Sequence, residues 1–419
     1  MKAIIKILIL IFSINFMFRC SERKRLNPID PHNSETGGRL QGLEVYSEFD
    51  RAVLHWQQLP IKNIQGYQIY RKQDSDLNFT AITATSPDSN EYTDYGLDYN
   101  KKYHYFVTVL GEDFETPASD TVSIVPGPII IWVTDVYNRR ILKISNDGSH
   151  EITQIPVDGY PWALAYDSEN STLWYTDVFL NRVYRMQSQD FEVPLNETYG
   201  APIDMVLDKN NDQVWIVDET QGKISVFNRQ GVKLGGRSGF ENPISIDCDL
   251  NDGSCWVADS KARTVTKISA SLEMTLQIKD LINPTSVSVN QTTQDCWVAD
   301  STRILKFDLK GGSRLTIESQ GNFLRYLAVD SETGNCWVLD FSFFADQSRL
   351  ICFNNNGEKL FELSGFTYPE NLKIDPYDNS CVVTDSGAGR ILKIGLDGSI
   401  IGQVSGYDYT RGLFIEMQE

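Results

Sequence analysis

Residues 284–300, PTSVSVNQTTQDCWVAD, contain the pattern on which the fold prediction depends. A proline opens a run of alternating side chains, and the stretch closes on Trp297 and Asp300. This Trp-apolar-x-Asp core recurs in steps of 40 to 45 residues, with valine in place of tryptophan in the last copy. The copies begin at Trp132, Trp174, Trp215, Trp256, Trp297, Trp337 and Val382. A period of about 40 residues that holds four short strands is typical of the blades of a β-propeller.

The repeats are out of phase with the two ends of the array. The first copy, at Trp132, has no proline-led strand before it, and the last copy is followed by an extra strand at residues 409–416. We expect this last strand to complete the first blade, because closure leaves no exposed sheet edge. The prediction is therefore an all-β chain with a seven-bladed propeller over residues 129–419, closed by its C-terminal strand, with six blades as the alternative. The pattern resembles NHL-type propellers, and this resemblance implies the architecture rather than an activity.

Residues 41–127 predict a β-sandwich, because short runs of alternating apolar and polar side chains are separated by turn clusters. The segment also resembles a fibronectin type III domain. The matching positions are Trp56 in strand B, Tyr67-Gln68-Ile69-Tyr70 in strand C, and Tyr92-Thr93-Asp94 with Leu97 and residues 103–107 in the strand E to F stretch, which carries a corner tyrosine. The resemblance implies a spacer or adhesive module, since this fold alone names no ligand.

Residues 1–20 indicate a signal peptide, with early lysines, a short apolar run and then Cys20. The apolar run is shorter than the roughly 20 residues of a membrane-spanning helix. The cysteine after it resembles a bacterial lipoprotein signal, which implies lipidation of Cys20 and a membrane partner through that anchor. Phe18 and Arg19 depart from the small residues of that family, so ordinary secretion and an uncleaved anchor stay open. The implied location is the bacterial cell envelope. Residues 21–40 are polar and predict a flexible linker.

The composition excludes several classes of function. A net charge of −18 repels a phosphate backbone, so we expect no nucleic-acid partner. The chain has four histidines, too few for a site built on several of them, and it has no nucleophile elbow or phosphate-binding loop. We therefore expect a non-catalytic binding protein without metal or cofactor. The alternative is a lactonase-like hydrolase or lyase with a channel metal. Only Glu370 and Asn371 suit such a metal, and neighbours on a regular strand point to opposite faces.

Ligand recognition must depend on residues that differ between blades, because a residue present in every blade is best explained by a structural role. Propellers usually bind ligands over the central channel, near the starts of the inner strands. The candidates at this mouth are Tyr160, Trp162, Arg325, Tyr326, Glu370, Asn371 and Arg411. Guanidinium groups, aromatic rings and a carboxylate suit a polar ligand such as an anion or a carbohydrate, or a protein partner. The alternative is that these side chains only close or solvate the channel.

The cysteines after residue 20 follow the repeat. Four of them directly precede the tryptophan position: Cys255, Cys296, Cys336 and Cys381. Equivalent positions in neighbouring blades are too far apart for a disulfide, whose Cα atoms lie about 4.4–6.8 Å apart, so we interpret these residues as small packing groups. Cys248 and Cys255 flank one hairpin and form a candidate disulfide in an exported chain, which the sequence leaves open. For Cys352, only Cys336 in the same blade is a candidate partner.

Overall fold

The structure, a computed structural model, describes residues 26–418 except 62, 100, 189–190, 320–322 and 345. The chain divides into two compact units between Pro126 and Gly127. The described residues contain 35 strands and a single 3-10 helix, Ser386–Ala388. None of their helical segments has the length and apolar character needed to cross a bilayer. The signal peptide and Cys20 lie outside the described residues.

The first unit is a sandwich of two antiparallel sheets that share one apolar core. One sheet has the order β1 (Glu44–Glu48), β2 (Arg51–His55), β5 (Glu91–Asp94), and the other has β4 (Thr80–Thr85), β3 (Ile64–Gln73), β6 (Tyr103–Gly111), β7 (Val122–Ile124). Trp56 is buried, and its ring centroid lies 5.2 Å from that of Tyr67. The hydroxyl oxygen of Tyr103 accepts a hydrogen bond of 3.1 Å from the backbone N–H of Asp98, which fixes the corner before β6.

Residues 27–40 are folded onto the sandwich, so the prediction of a flexible linker is wrong for them. Ile29 and Leu40 are buried in the sandwich core. Between them, Asn33 donates to the carbonyl of Asn27 at 3.0 Å and accepts from the N–H of Glu35 at 2.8 Å. These apolar contacts and the hydrogen bonds of Asn33 hold the segment against the sandwich, although its average composition is polar.

The second unit consists of seven four-stranded antiparallel sheets in the described part of the chain. We number them as blades 1 to 7 in chain order. From the inner to the outer strand, blade 1 is β35 (Thr410–Met417), β8 (Ile129–Asp135), β9 (Arg140–Ile144), β10 (Glu151–Pro156); blade 2 is β11 (Leu164–Asp167), β12 (Thr172–Asp177), β13 (Arg182–Ser188), β14 (Phe191–Pro194); blade 3 is β15 (Pro202–Asp208), β16 (Gln213–Asp218), β17 (Lys223–Asn228), β18 (Lys233–Ser238); and blade 4 is β19 (Pro243–Asp249), β20 (Ser254–Asp259), β21 (Thr264–Ile268), β22 (Met274–Ile278). Blade 5 is β23 (Pro284–Val289), β24 (Cys296–Asp300), β25 (Arg303–Phe307), β26 (Ser313–Glu318); blade 6 is β27 (Phe323–Val329), β28 (Cys336–Phe341), β29 (Ser348–Phe353), β30 (Lys359–Phe366); and blade 7 is β31 (Pro369–Ile374), β32 (Cys381–Asp385), β33 (Arg390–Ile394), β34 (Ile400–Ser405).

The blades form a closed ring. Each inner strand contacts the inner strand of the next blade, and β35 contacts both β31 and β11. The C-terminal strand β35 pairs with β8 from Thr410 opposite Asp135 to Met417 opposite Ile129. Lys393 of blade 7 donates to the carbonyl of Asn146 in blade 1 at 2.8 Å. The prediction of a seven-bladed propeller closed by its C-terminal strand is confirmed, and the six-bladed alternative is wrong.

The recurring residues hold each blade together. The tryptophans pack between neighbouring blades, as Trp297 of blade 5 does against the core of blade 6. The aspartates are buried and accept backbone N–H groups from the loop that leads into the inner strand; Asp259, for example, accepts from Glu241 at 2.7 Å and Asn242 at 2.9 Å. Among the described residues, the aspartate also pairs with the arginine of the next strand in four blades: Asp135–Arg140, Asp300–Arg303, Asp340–Arg349 and Asp385–Arg390. A group that supports every blade is not free to bind a ligand in one of them.

The cysteines also have structural positions. Cys248 and Cys255 lie opposite each other on β19 and β20 and are joined by a disulfide. Cys296, Cys336, Cys352 and Cys381 are buried and free. Cys352 lies opposite Trp337, whereas Cys336 lies opposite Phe353, so the candidate pairing of Cys336 with Cys352 is not formed.

Candidate ligand-binding site in the central channel

The inner strands surround a cavity of about 510 Å³ in the central channel. Its lining includes six of the seven candidates predicted from the sequence: Trp162, Arg325, Tyr326, Glu370, Asn371 and Arg411. Tyr160 is not in the lining, but its ring packs against Phe179, with centroids 5.2 Å apart. The inner-strand starts of blades 1, 2, 6 and 7 therefore bring most of these side chains into one cavity.

Most of the inner strands carry a β-bulge near their start. In β31 the pairing register shifts between Pro369 and Asn371, so that Glu370 is the extra residue. Because a bulge breaks the alternation of a strand, neighbouring side chains no longer point to opposite faces. Glu370 and Asn371 both belong to the lining of the cavity, and the bulge breaks the regular alternation that the sequence prediction assumed for them.

Glu370 is the centre of a buried hydrogen-bonded cluster, with only 3% of its surface exposed. One carboxylate oxygen accepts from Arg325 and from the Tyr409 hydroxyl, each at 3.2 Å. The other accepts from the Tyr326 hydroxyl at 3.2 Å and from Arg411. A carboxylate offers about four lone-pair positions, and here all four are used. Glu370 is thus a fixed counter-ion that orients two guanidinium groups, and it could bind a metal only by losing these donors.

The same cluster sets the charge of its members. Burial lowers the pKa of Arg411, but the neighbouring Tyr326 and Glu370 outweigh this effect and raise it above its ordinary value. Burial together with Glu370 raises the pKa of Tyr409 to about 12. Arg411 therefore stays charged and Tyr409 stays a hydrogen-bond donor throughout the physiological pH range. In the described residues, no three His, Cys, Asp or Glu side chains form a group that could hold a metal ion.

An aromatic wall borders the cluster on the side of blade 2. The guanidinium carbon of Arg411 lies 3.9 Å from the ring centroid of Trp162, which is a close cation–π contact. Trp162 also stacks on Tyr409 at 6.0 Å and meets Phe179 at 5.9 Å, and Phe179 is half-exposed. Gly412 permits this arrangement, because a Cβ atom there would lie 2.6 Å from the carbonyl oxygen of Trp162.

Charged residues that sequence reasoning missed complete the lining. Asp204 on β15 accepts from the N–H of Met205 at 2.9 Å and of Ile246 at 3.0 Å, and Lys373 on β31 is exposed in the channel. Burial within the ring raises the pKa of Asp204 to about 6, although Lys373 acts in the opposite direction. Glu219, in the loop after β16, accepts from the side chain of Asn242 at 3.2 Å. The sequence signal for Asp204 was a charged residue two positions after the proline that opens the inner strand, where the blades before and after it have Ala163 and Ser245.

Comparisons with known proteins identify the fold. No family model matches the chain, and no curated protein matches it. A functionally unknown protein from Desulfotomaculum acetoxidans is similar in structure, with a TM-score of 0.56 and 16% identity over 69% of this chain and 99% of that one. A putative 6-phosphogluconolactonase from Bacteroides uniformis has a TM-score of 0.56 and 11% identity over 69% of this chain and 100% of its own. Apo AztD from Citrobacter koseri has a TM-score of 0.51 and 10% identity over 70% and 98%. At these identities the similarity shows a β-propeller-like fold and carries no activity with it.

Proposed function

We propose that this protein is an exported, non-catalytic binding protein that recognises a small polar ligand in the central channel of its propeller. The observation that carries the proposal is the Glu370 cluster, which holds two arginines and two tyrosines at a cavity of about 510 Å³. Cavities of about 300–1,000 Å³ with a few fixed polar groups are typical of small-molecule sites. A buried ionic cluster gives little stability compared with apolar packing, so its position at the channel mouth supports a role in recognition.

The remaining parts of the chain fit an envelope protein. We assign the first unit to a fibronectin type III-like stalk, supported by buried Trp56 and the Tyr103 corner, and the second to an NHL-type propeller. The Cys248–Cys255 disulfide supports export, because such bonds persist in oxidising compartments. Lipidation at Cys20 would attach the chain to a membrane. Mass spectrometry of Cys20 in protein isolated from native membranes tests this assignment, and an unmodified or absent cysteine would contradict it.

The binding proposal is tested by thermal unfolding of the protein with a panel of amino acids, short peptides, saccharides and organic acids. Asn371→Trp places a large side chain in the cavity, where Asn371 is a lining residue. Asn356→Trp makes the same change at an exposed turn between β29 and β30 and serves as the control. We expect at least one compound to stabilise the wild type and the Asn356 variant but not the Asn371 variant. Equal stabilisation of all three proteins, or of none, would contradict channel binding.

Catalysis is tested with the same proteins. Lactones and phosphoesters are incubated with the wild type in the presence of Ca²⁺ or Zn²⁺, and we expect no turnover above background, because Glu370 has no free lone pair. Metal-dependent turnover that is lost in Glu370→Gln would replace the proposal with a lactonase-like hydrolase.

A further inference from the structure

The charges that line the channel cavity are balanced. Six side chains that are charged at neutral pH line the cavity, three acidic and three basic: Asp204, Glu219, Glu370, Arg325, Lys373 and Arg411. Their formal charges sum to zero at neutral pH. A cavity of this kind has no net preference for an anion over a cation, and selectivity must come from the way in which the charges are distributed.

The charges are separated onto two walls. Blades 6, 7 and 1 supply Arg325, Lys373 and Arg411, and Glu370 in their midst neutralises one of the three positive charges. This basic wall therefore keeps a formal charge of about +2. Asp204 and Glu219 both belong to blade 3, which lies across the ring from blades 6 and 7, and they form an acidic wall of about −2.

The two walls retain unused hydrogen-bonding capacity. Asp204 is held by two backbone N–H groups, which occupy about half of its lone-pair positions. In the described residues, Lys373 forms no ion pair within 4.0 Å, and it is an exposed residue of the cavity lining whose ammonium group has three N–H donors. Both side chains are positioned by the inner strands rather than by mobile loops, which preserves the separation of charge across the cavity.

We propose that the ligand is a zwitterion, a short peptide or amino acid with free ends, whose ammonium group binds the acidic wall at Asp204 and whose carboxylate binds the basic wall at Lys373. This inference rests on the proposed channel-binding function and names its ligand class. A molecule with both charges satisfies both walls at once, whereas a simple anion or cation leaves one charged wall without a partner. The apolar and aromatic lining between the walls, including Trp162 and Leu164, contacts the uncharged middle of the ligand.

The probe is trialanine in four forms: with free ends, N-acetylated, C-amidated and blocked at both ends. Isothermal titration calorimetry should show binding of the free form, at least tenfold weaker binding when either end is blocked, and none when both are blocked. Asp204→Asn should weaken the free and amidated forms at least fivefold and leave the acetylated form unchanged. Lys373→Met should weaken the free and acetylated forms and leave the amidated form unchanged. If either residue had a purely structural role, its substitution would change the affinity for all four forms of trialanine by the same factor.

Asp280→Asn, at an exposed residue of the propeller, is the matched control and should change nothing. Equal binding of all four forms, or binding of none, overturns the inference. Trialanine could fail to bind while an uncharged saccharide from the panel stabilises the wild type but not Asn371→Trp. In that case the inference of a zwitterionic ligand is wrong, and the proposal of channel binding stands. If no compound stabilises the wild type more than Asn371→Trp, the proposal of channel binding and the inference of a zwitterionic ligand are both wrong.

Discussion

Removal of the Glu370 carboxylate should destabilise the propeller far more than removal of an ordinary surface glutamate. Glu370→Ala leaves Arg411, which has a side chain only 14% exposed, without its counter-ion. The loss of one partner of a buried ion pair costs about 3–5 kcal/mol. Because Arg325 is 31% exposed and can be solvated, we expect the lower end, about 3 kcal/mol. Glu370→Gln keeps the shape and one acceptor oxygen, and it should cost about 2 kcal/mol.

The assay is guanidinium unfolding followed by tryptophan fluorescence, which reports mainly on the propeller because seven of the eight tryptophans lie at or after residue 132. The matched control is Glu362→Ala. Glu362 also binds an arginine and a lysine, but as a partly exposed pair on an outer strand, so its loss should cost less than about 1 kcal/mol. Addition of Arg411→Met to Glu370→Ala should recover at least about 1 kcal/mol, because it removes the uncompensated charge. If Glu370→Ala and Glu362→Ala destabilise the protein equally, the cluster is not the buried counter-ion arrangement that we describe.

Three further perturbations test other parts of the structure. Asp204 has a raised pKa, so the folded state binds its proton more tightly than the unfolded state does, and its contribution to stability falls as the pH rises from about 4 to about 6. At about 1.36 kcal/mol for each unit by which the pKa is raised, this loss is at most about 3 kcal/mol. The difference in unfolding free energy between the wild type and Asp204→Asn should therefore fall by about 1–3 kcal/mol between pH 4 and 7.5. A difference that stays constant with pH would contradict the raised pKa. Deletion of residues 409–419 removes β35 and exposes the edge of β8, and gel filtration should show aggregation; a monomer with cooperative unfolding would refute closure by this strand. Replacement of Cys248 and Cys255 by alanine opens a loop with a sequence separation of 7 and should lower the unfolding free energy by about 2 kcal/mol, whereas an unchanged denaturation midpoint would show that the disulfide is absent in solution.

The architecture was predictable because it is repeated. Each blade carries its own proline, tryptophan and aspartate, so the pattern remains visible when a single copy departs from it, as Val382 does. The closure by β35 followed from the mismatch in phase between the two ends of the array. Local packing of an irregular segment has no such redundancy, and the order of residues 27–40, which depends on Ile29, Leu40 and one asparagine, was missed.

The site was predicted in composition but not in arrangement. Arg325 and Arg411 were expected as cations open to a ligand, whereas the structure pairs both with Glu370, at sequence separations of 45 and 41 residues. Such pairs depend on how closely the inner strands of neighbouring blades approach each other. The sequence of a single blade carries no information about that distance. The bulge at Glu370 likewise arises from strand pairing and not from a turn residue. Lys373 was missed because an alternating strand gives no sign of which face borders the channel.

The most direct test of channel recognition is a crystal structure of the protein bound to the panel compound that stabilises it most. We predict ligand density inside the cavity between β15 and β31, with polar atoms of the ligand within hydrogen-bonding distance of Lys373 or Arg411 and with the four donors of Glu370 still in place. Density confined to the outer rim of the blades, or a metal ion bound by Glu370 in place of those donors, would contradict the account.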